Sequence, residues 1–441
     1  MSWFIYQIDK EEQESGIAIH LYYTNEKQKS LVETHTIPYL LYTSKTVFES
    51  LKIKSKNIRP REETLKDYQE NEVIALEIHS KELYDHISSQ MKEHNHEIYE
   101  ADLPAEHRFL IENQRDLIDK NHTYLPLKYL SVDIETIGEV DNQEIVLISA
   151  YSPHGKGVKK VYINEHALPE GKKDMIKQAT FSEFSTHFVE DEKSLLETFQ
   201  QEVIDFQPQA LLGWNVVDFD FRVIKERMKH YDIPFTFSSF EGDCRLRLTS
   251  DFFQSSTLTC PGVLVFDVIA LLRTNFISFE DYKLDTVAKA VLGDQKIELE
   301  NGDSSDTSIE EKIHAIAHML NHDPLKLIEY NFKDSHLTAA IVEKLKLLEL
   351  MCKRSILTGT PLSKVKSPIA TLDIMYLKQL HEMGYVAPAN FNFSETTPIE
   401  GAYVIEPKQG FYKNVFVYDF KSLYPSVIMT FNVDPYTYHS Q

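Results

Sequence analysis

Four short stretches carry residue types and spacings that can do chemistry. The first is Asp133-Ile134-Glu135, at the end of the apolar run LKYLSVDIE (127–135). In a strand, residues two apart share a face, so Asp133 and Glu135 project side by side. Carboxylates that close repel each other unless a cation lies between them, and hard oxygen ligands suit Mg²⁺ or Mn²⁺. The same D-x-E spacing also occurs on exposed strand edges. The second stretch is Gly213-Trp214-Asn215-Val216-Val217-Asp218-Phe219-Asp220, a loop between a short apolar run and a helical one. Active-site side chains often sit on such loops; alternatively, Asp218 or Asp220 simply caps the helix. The third is Tyr330-Asn331-Phe332-Lys333-Asp334. On a helix, Tyr330 and Asp334 share one face and can enter one cleft, or form an ordinary surface pair. The fourth, Asp419-Phe420-Lys421-Ser422-Leu423-Tyr424-Pro425-Ser426, follows the apolar VFVY (415–418). A carboxylate at a strand end can bind a metal, and the turn after it can offer N–H groups to phosphates.

Elements must hold these residues in place. LKYLSVDIE, EIVLISAY (144–151) and KKVYIN (159–164) read as a three-stranded antiparallel meander, with Asp141-Asn142 as a turn. A helix is expected over 191–206, where Leu195, Leu196, Phe199 and Val203 fall on one face. ALLGW (210–214) and VLVFDV (263–268) read as strands, and 220–231, 282–292, 308–320 and about 324–353 as helices. Upstream, SLVETHTIPYLLYT reads as a strand, and VIALEIHSKELYDHI (73–87) is interrupted by polar residues. Residues 354–400 hold the loop-rich TGTPLSKVKSP and VAPANFNFSETTP, and 410–431 reads as strand, turn and helix.

Bulk properties narrow the class. A length of 441 residues predicts two to four domains. With 42% hydrophobic and 26% charged residues, the chain is an ordinary globular one able to bury large cores. A net charge of -22 argues against a protein that coats DNA non-specifically, but not against an enzyme with a local basic groove. Cys244, Cys260 and Cys352 form no CxxC or Cys/His pattern, so neither zinc nor a disulfide framework is indicated, and the usage fits a reducing compartment. The N-terminus turns charged within ten residues, unlike a signal peptide, and no apolar run approaches the ~20 residues that span a bilayer. A cytoplasmic location without membrane contact is expected.

Together, D-x-E, N-x3-F-D and Y-x3-D, in that order over about 200 residues, resemble the three motifs of DEDD-type exonucleases. The octapeptide at 419–426 resembles the first polymerase motif, D-x2-S-L-Y-P-S, of family B DNA polymerases. YEADLPAEHRFLIE (99–112), FEDYKLDTVAKAVLG (279–293), GYVAPAN (384–390) and GAYVIEPKQGFY (401–412) are similar to other segments of that family, nearest its bacterial polymerase II type. The match covers roughly residues 95–441.

The resemblance implies an α/β, α+β multidomain chain: an N-terminal α/β domain (1–124, with about 350–395 returning to it), an RNase H-like 3′→5′ exonuclease domain (125–350) and the beginning of a palm (396–441). It implies that Asp133, Glu135, Asp220 and Asp334 are the four carboxylates, with Tyr330 orienting the attacking water. The histidine subtype would place His where Glu329 stands, so the tyrosine subtype matches better. Two-metal hydrolysis with Mg²⁺ or Mn²⁺ is then expected. Asp133 would ligate both ions, Glu135 and Asp334 the ion bearing the nucleophile, and Asp220 the second. Asn215 and Phe219 would position terminal nucleotides, although Phe219 also suits a core position. At the polymerase motif, Asp419 would bind metal, and Ser422, Leu423 and Tyr424 the nucleotide, with Tyr424 beneath its sugar. The implied partners are single-stranded DNA 3′ ends and primer-template, deoxynucleotides in a full-length protein, and a sliding clamp, whose contact peptides in this family usually lie at the C-terminus. Arg222, Lys225, Arg245 and Arg247 are candidates for backbone contact, or merely solvated charges. The chain stops about twenty residues after Asp419, so no polymerisation is expected from it alone. The alternatives are a non-catalytic DNA- or partner-binding half of a split polymerase and a free-standing nuclease; the octapeptide argues against the latter.

Overall fold

The computed structural model describes residues 3–51, 55–113, 127–140, 142–249, 256–275, 277–294, 309–389 and 403–433. Asp141 of the expected turn, and 390–402 of the loop-rich and family-like segments, lie outside them. The chain forms two compact units. The larger comprises Met1–Gln13, Ile17–Ile37 and Pro104–Lys378; the smaller comprises Glu14–Gly16, Pro38–Leu103 and Gln379–Gln441.

The larger unit is built on a six-stranded sheet. Its strands are β1 (Tyr129–Glu139), β2 (Asn142–Ser152), β3 (Val158–Asn164), β4 (Ser185–Val189), β5 (Ala210–Gly213) and β6 (Leu264–Asp267), in spatial order β4-β3-β2-β1-β5-β6. β1, β2 and β3 form the antiparallel meander; β4, β5 and β6 join in parallel. The central strands carry apolar residues on both faces, as a sheet covered on both sides requires. One face buries Val132, Ile134 and Ile148 beneath helix α1 (Glu192–Phe206), through Leu195, Leu196, Phe199 and Val203. Asp191 caps α1 by accepting from the Ser194 N–H at 2.8 Å. Helix α2 (Asp220–His230) adds Phe221, Ile224 and Met228. Further helices include α3 (Leu284–Leu292), α4 (Ile309–His322) and α5 (Pro324–Lys344). Leu327, Ile328, Tyr330 and Phe332 of α5 pack with Val146 and Leu147 of β2. The N-terminal strands Trp3–Gln13, Gly16–Asn25 and Ser30–Ile37 form a separate sheet. Tyr6 enters the core beside Tyr129 and Phe266, its hydroxyl donating to the Gly262 carbonyl at 2.6 Å.

The smaller unit holds a four-stranded sheet in the order Ile58–Lys66, Glu72–Ile78, Tyr39–Ser44, Ile98–Tyr99. Residues of the 384–388 stretch bond to it: Val386 N–H donates to Lys66 O at 2.9 Å, and Ala387 N–H to the buried Glu100 carboxylate at 3.1 Å.

Several expectations are corrected. SLVETHTIPYLLYT is two strands, because Pro38 lacks an N–H for the ladder and the chain changes sheet there. The helix expected over 324–353 ends at Lys344; Lys346 takes a left-handed φ of 53° and a new helix runs Leu347–Thr358. A helix Pro368–Glu382 interrupts the segment read as loop. The VFVY run forms no strand, and among the described residues no strand pairs with it. Cys244 and Cys260 form a disulfide. They directly continue the hairpin ladder that pairs Arg245 with Thr259, a proximity invisible in a spacing of 16 residues. Among the described residues, no helix is long and apolar enough to cross a membrane.

Candidate active site

Asp133 and Glu135 stand two residues apart on β1, as strand alternation requires. Asp133 pairs across the ladder with Ser149 of β2, whose hydroxyl donates to the Asn331 carbonyl on α5 at 2.9 Å. That bond seats α5 against the sheet, one turn before Asp334. A carboxylate oxygen from each of Asp133, Glu135 and Asp334 lies within 4.8 Å of the other two. Glu135 and Asp334 are buried and Asp133 is half-buried. Tyr330 is also buried, four residues before Asp334 on α5.

The glycine of the loop before α2 has a steric reason. A Cβ at Gly213 would stand 2.5 Å from the Val216 Cβ and 3.0 Å from the Val132 carbonyl oxygen. Glycine lets the loop fold tightly against β1. Asn215 follows at φ 59°, exposed, and the Trp214 indole donates to Tyr282 O at 3.0 Å. Phe219 occupies the position before α2 without a side-chain cap and packs against the core. Neither Asp218 nor Asp220 therefore serves as the cap. Asp220 is the first residue of α2, and its Oδ1 accepts the Ile134 N–H at 3.1 Å, between the two strand acids. Burial pushes its carboxyl up to about 8; backbone N–H groups oppose the rise, and the charges of Asp267 and Asp334 add to it. Asp220 thus lies beside the three-carboxylate group, but not within its 4.8 Å circle.

Two neighbours escaped sequence reasoning. Asn331 donates to the Asp133 carboxylate at 2.8 Å and to its carbonyl at 3.2 Å; its place inside Tyr330–Asp334 was the available signal. Asp267 ends β6 opposite Gly213 of β5, and an acid closing the run VLVFD resembles Asp133 closing its own. Asp419, Ser422, Leu423 and Tyr424 belong to the smaller unit and are exposed, with the helix beginning at Leu423.

Three gathered carboxylates, two of them buried, form a donor set of hard oxygens that fits a divalent cation, which would offset their mutual repulsion. Fold and site together define a cluster of carboxylates, suited to a divalent cation, on a mixed α/β scaffold. The chain belongs to DNA polymerase family B: residues 63–287 match the family's exonuclease domain, and residues 366–441 match DNA polymerase family B itself. The exonuclease match brings with it an RNase H-like fold and dependence on divalent metal. DNA polymerase II of Escherichia coli (strain K12) is 28% identical over 395 residues, covering 84% of this chain and 47% of that protein. A DNA polymerase of Desulfurococcus sp. (strain Tok) is 27% identical, covering 77% and 41%. In fold, the chain is similar to the family B DNA polymerase of the hyperthermophilic archaeon Pyrobaculum calidifontis, with a TM-score of 0.71 at 18% identity, covering all of this chain and 58% of that one. The chain spans about half the length of the curated relatives described.

Proposed function

We propose that the carboxylate cluster is the centre of a 3′→5′ proofreading exonuclease that hydrolyses single-stranded DNA ends. The observation that carries this reading is the convergence of Asp133, Glu135 and Asp334 from β1 and α5. Asp133, Glu135, Asp220 and Asp334 would hold two Mg²⁺ or Mn²⁺ ions. Bound there, the ions supply a hydroxide near neutral pH and stabilise charge on the phosphate. Asp133, whose carboxylate accepts from Asn331, would be among the residues that hold the ions. The Tyr330 hydroxyl orients the attacking water. Asn215, exposed on the tight loop, and Phe219 position the last nucleotides. The 3′ oxygen leaves with a proton from solvent.

In the same reading, residues 125–350 form the exonuclease domain, 1–124 with about 350–395 the N-terminal domain, and 396–441 the start of a palm. There, Asp419, Ser422, Leu423 and Tyr424 serve a deoxynucleotide and its metal. A cytoplasmic protein working on primer-template DNA in replication or repair fits these parts.

The test is a denaturing gel of 5′-labelled single-stranded DNA incubated with the chain, in Mg²⁺ and then in EDTA. A ladder shortening from the 3′ end only in Mg²⁺ is expected. An intact band in Mg²⁺ contradicts the reading.

A further inference from the structure

Within the larger unit, a cavity of about 940 Å³ opens at the loop that leads into Asp220. Asn215, Val217 and Asp218, on the loop leading into Asp220, line one side. Five cations also line it: Lys10, Arg245, Arg273, Lys364 and Lys366. Four carboxylates, Asp9, Glu106, Asp218 and Asp267, line it as well, so the cations exceed the acids by one in a chain of net charge -22. Most of these cations are already engaged. Lys10 faces Glu106 at 3.4 Å, Arg245 is drawn to Asp9, and the Arg273 guanidinium lies 4.7 Å from the centre of the Tyr282 ring.

Lys366 differs. It is half-buried, and its ammonium lies 6.0 Å from the centre of the Phe266 ring. Among the described residues it has no hydrogen bond and no ion pair within 4 Å. The opposing charge that acts on it is Asp267, whose Oδ1 accepts the Ile269 and Ala270 N–H groups at 2.9 and 3.4 Å. Burial lowers the Lys366 pKa, and Asp267 only partly offsets this. A cation kept from water without a close anion is costly, and an entering anion offsets that cost.

We propose that this cavity receives the phosphodiester backbone of a single nucleic-acid strand, and that Lys366 is the positioning residue that holds one of its phosphates. This deepens the nuclease reading by naming where the strand is gripped, but the grip itself needs no metal. The Asn215–Asp218 wall then places a strand held by Lys366 next to Asp220.

The test separates the two claims by working in EDTA, where no cleavage occurs. Binding of a fluorescein-labelled mixed-sequence DNA oligonucleotide is read by anisotropy across a salt series, for the 441-residue chain and its variants. Lys366→Met is expected to weaken binding on the order of tenfold at low salt and to make the salt slope shallower by about 0.7. Lys366→Arg should retain most affinity, and Lys229→Met, on an exposed helix surface, should change nothing. Wild-type affinity and slope in Lys366→Met overturn the proposal, as does a wild-type chain that does not bind the oligonucleotide. If Lys366→Met does not fold, amine acetylation of the wild-type chain decides: Lys366 should be modified in the free protein and protected by the oligonucleotide. Unchanged labelling overturns the proposal. A deoxynucleoside monophosphate competing as well as the oligonucleotide at equal phosphate concentration also overturns it, because the site would then hold free nucleotide rather than a strand. Loss of Mg²⁺-dependent cleavage with these binding results intact would instead count against the nuclease reading alone.

Discussion

Asn331 Nδ2 reaches both the Asp133 carboxylate, at 2.8 Å, and the Asp133 carbonyl, at 3.2 Å. One amide thus fixes the orientation of a carboxylate that would hold the metal. Groups that orient a ligand typically change metal affinity about 10–100-fold when removed. Asn331→Ala should therefore weaken Mn²⁺ binding by about that factor, measured by calorimetry, while leaving the fold in place. Unchanged affinity would show that Asp133 needs no such support.

Asp220 predicts a pH dependence. Its folded pKa, about 8, lies far above the ordinary carboxylate value. In the metal-free chain, the stability linked to its protonation is present at low pH and is lost as pH rises through about 8. Metal binding must displace that proton. Mn²⁺ affinity should therefore rise with pH from 6 to 8, up to about tenfold per unit for this one proton, and level off above. Titrations at several pH values check this; a flat profile over 6–8 contradicts it.

Asp9 makes a similar prediction away from the carboxylates. Burial raises its pKa to about 6, against the pull of the Gln7 amide and Arg245. A raised carboxyl favours the folded state below the ordinary carboxylate pKa, and that contribution fades as pH climbs through about 6. Asp9→Asn should thus stabilise the chain at pH 8 by on the order of 1–2 kcal/mol, discounted for partial exposure, and do little at pH 3.5. Thermal melts at the two pH values give the comparison, and equal shifts at both would contradict the assignment.

Glu192 ties the sheet to two helices. Its Oε1 accepts the Ile145 N–H of β2 at 2.8 Å, and Arg227 of α2 donates to both of its oxygens. The Glu192 side chain is almost wholly buried, so removing it strands a cation and an amide. Glu192→Ala should cost about 3–5 kcal/mol in urea unfolding. A cost below about 1 kcal/mol would mean that Arg227 finds water instead.

The parts most legible in the sequence were those set by period. The three apolar runs in 127–164 read as the meander, and the spacing of Leu195, Leu196, Phe199 and Val203 reads as α1. Spacing also placed Asp133 beside Glu135, and Tyr330 on the face of Asp334. Long-range register was not legible. No local pattern announces that Cys244 faces Cys260, or that Asp267 lies opposite Gly213. Backbone breaks are not legible either: the periodicity of 324–353 continues across Lys346, where the backbone turns left-handed at φ 53°. VFVY shows the converse error, since apolar residues make a strand only where another strand accepts them.

The most direct measurement is single-turnover release of the 3′-terminal nucleotide from single-stranded DNA in Mg²⁺, by the wild-type chain and by Asp133→Asn, with thermal melts of both in EDTA. The account predicts metal-dependent release by the wild type, a fall on the order of 10³-fold in the variant, and a melt for the variant that is equal or higher, since one repelling charge is gone. Release by pure Asp133→Asn at the wild-type rate would contradict it.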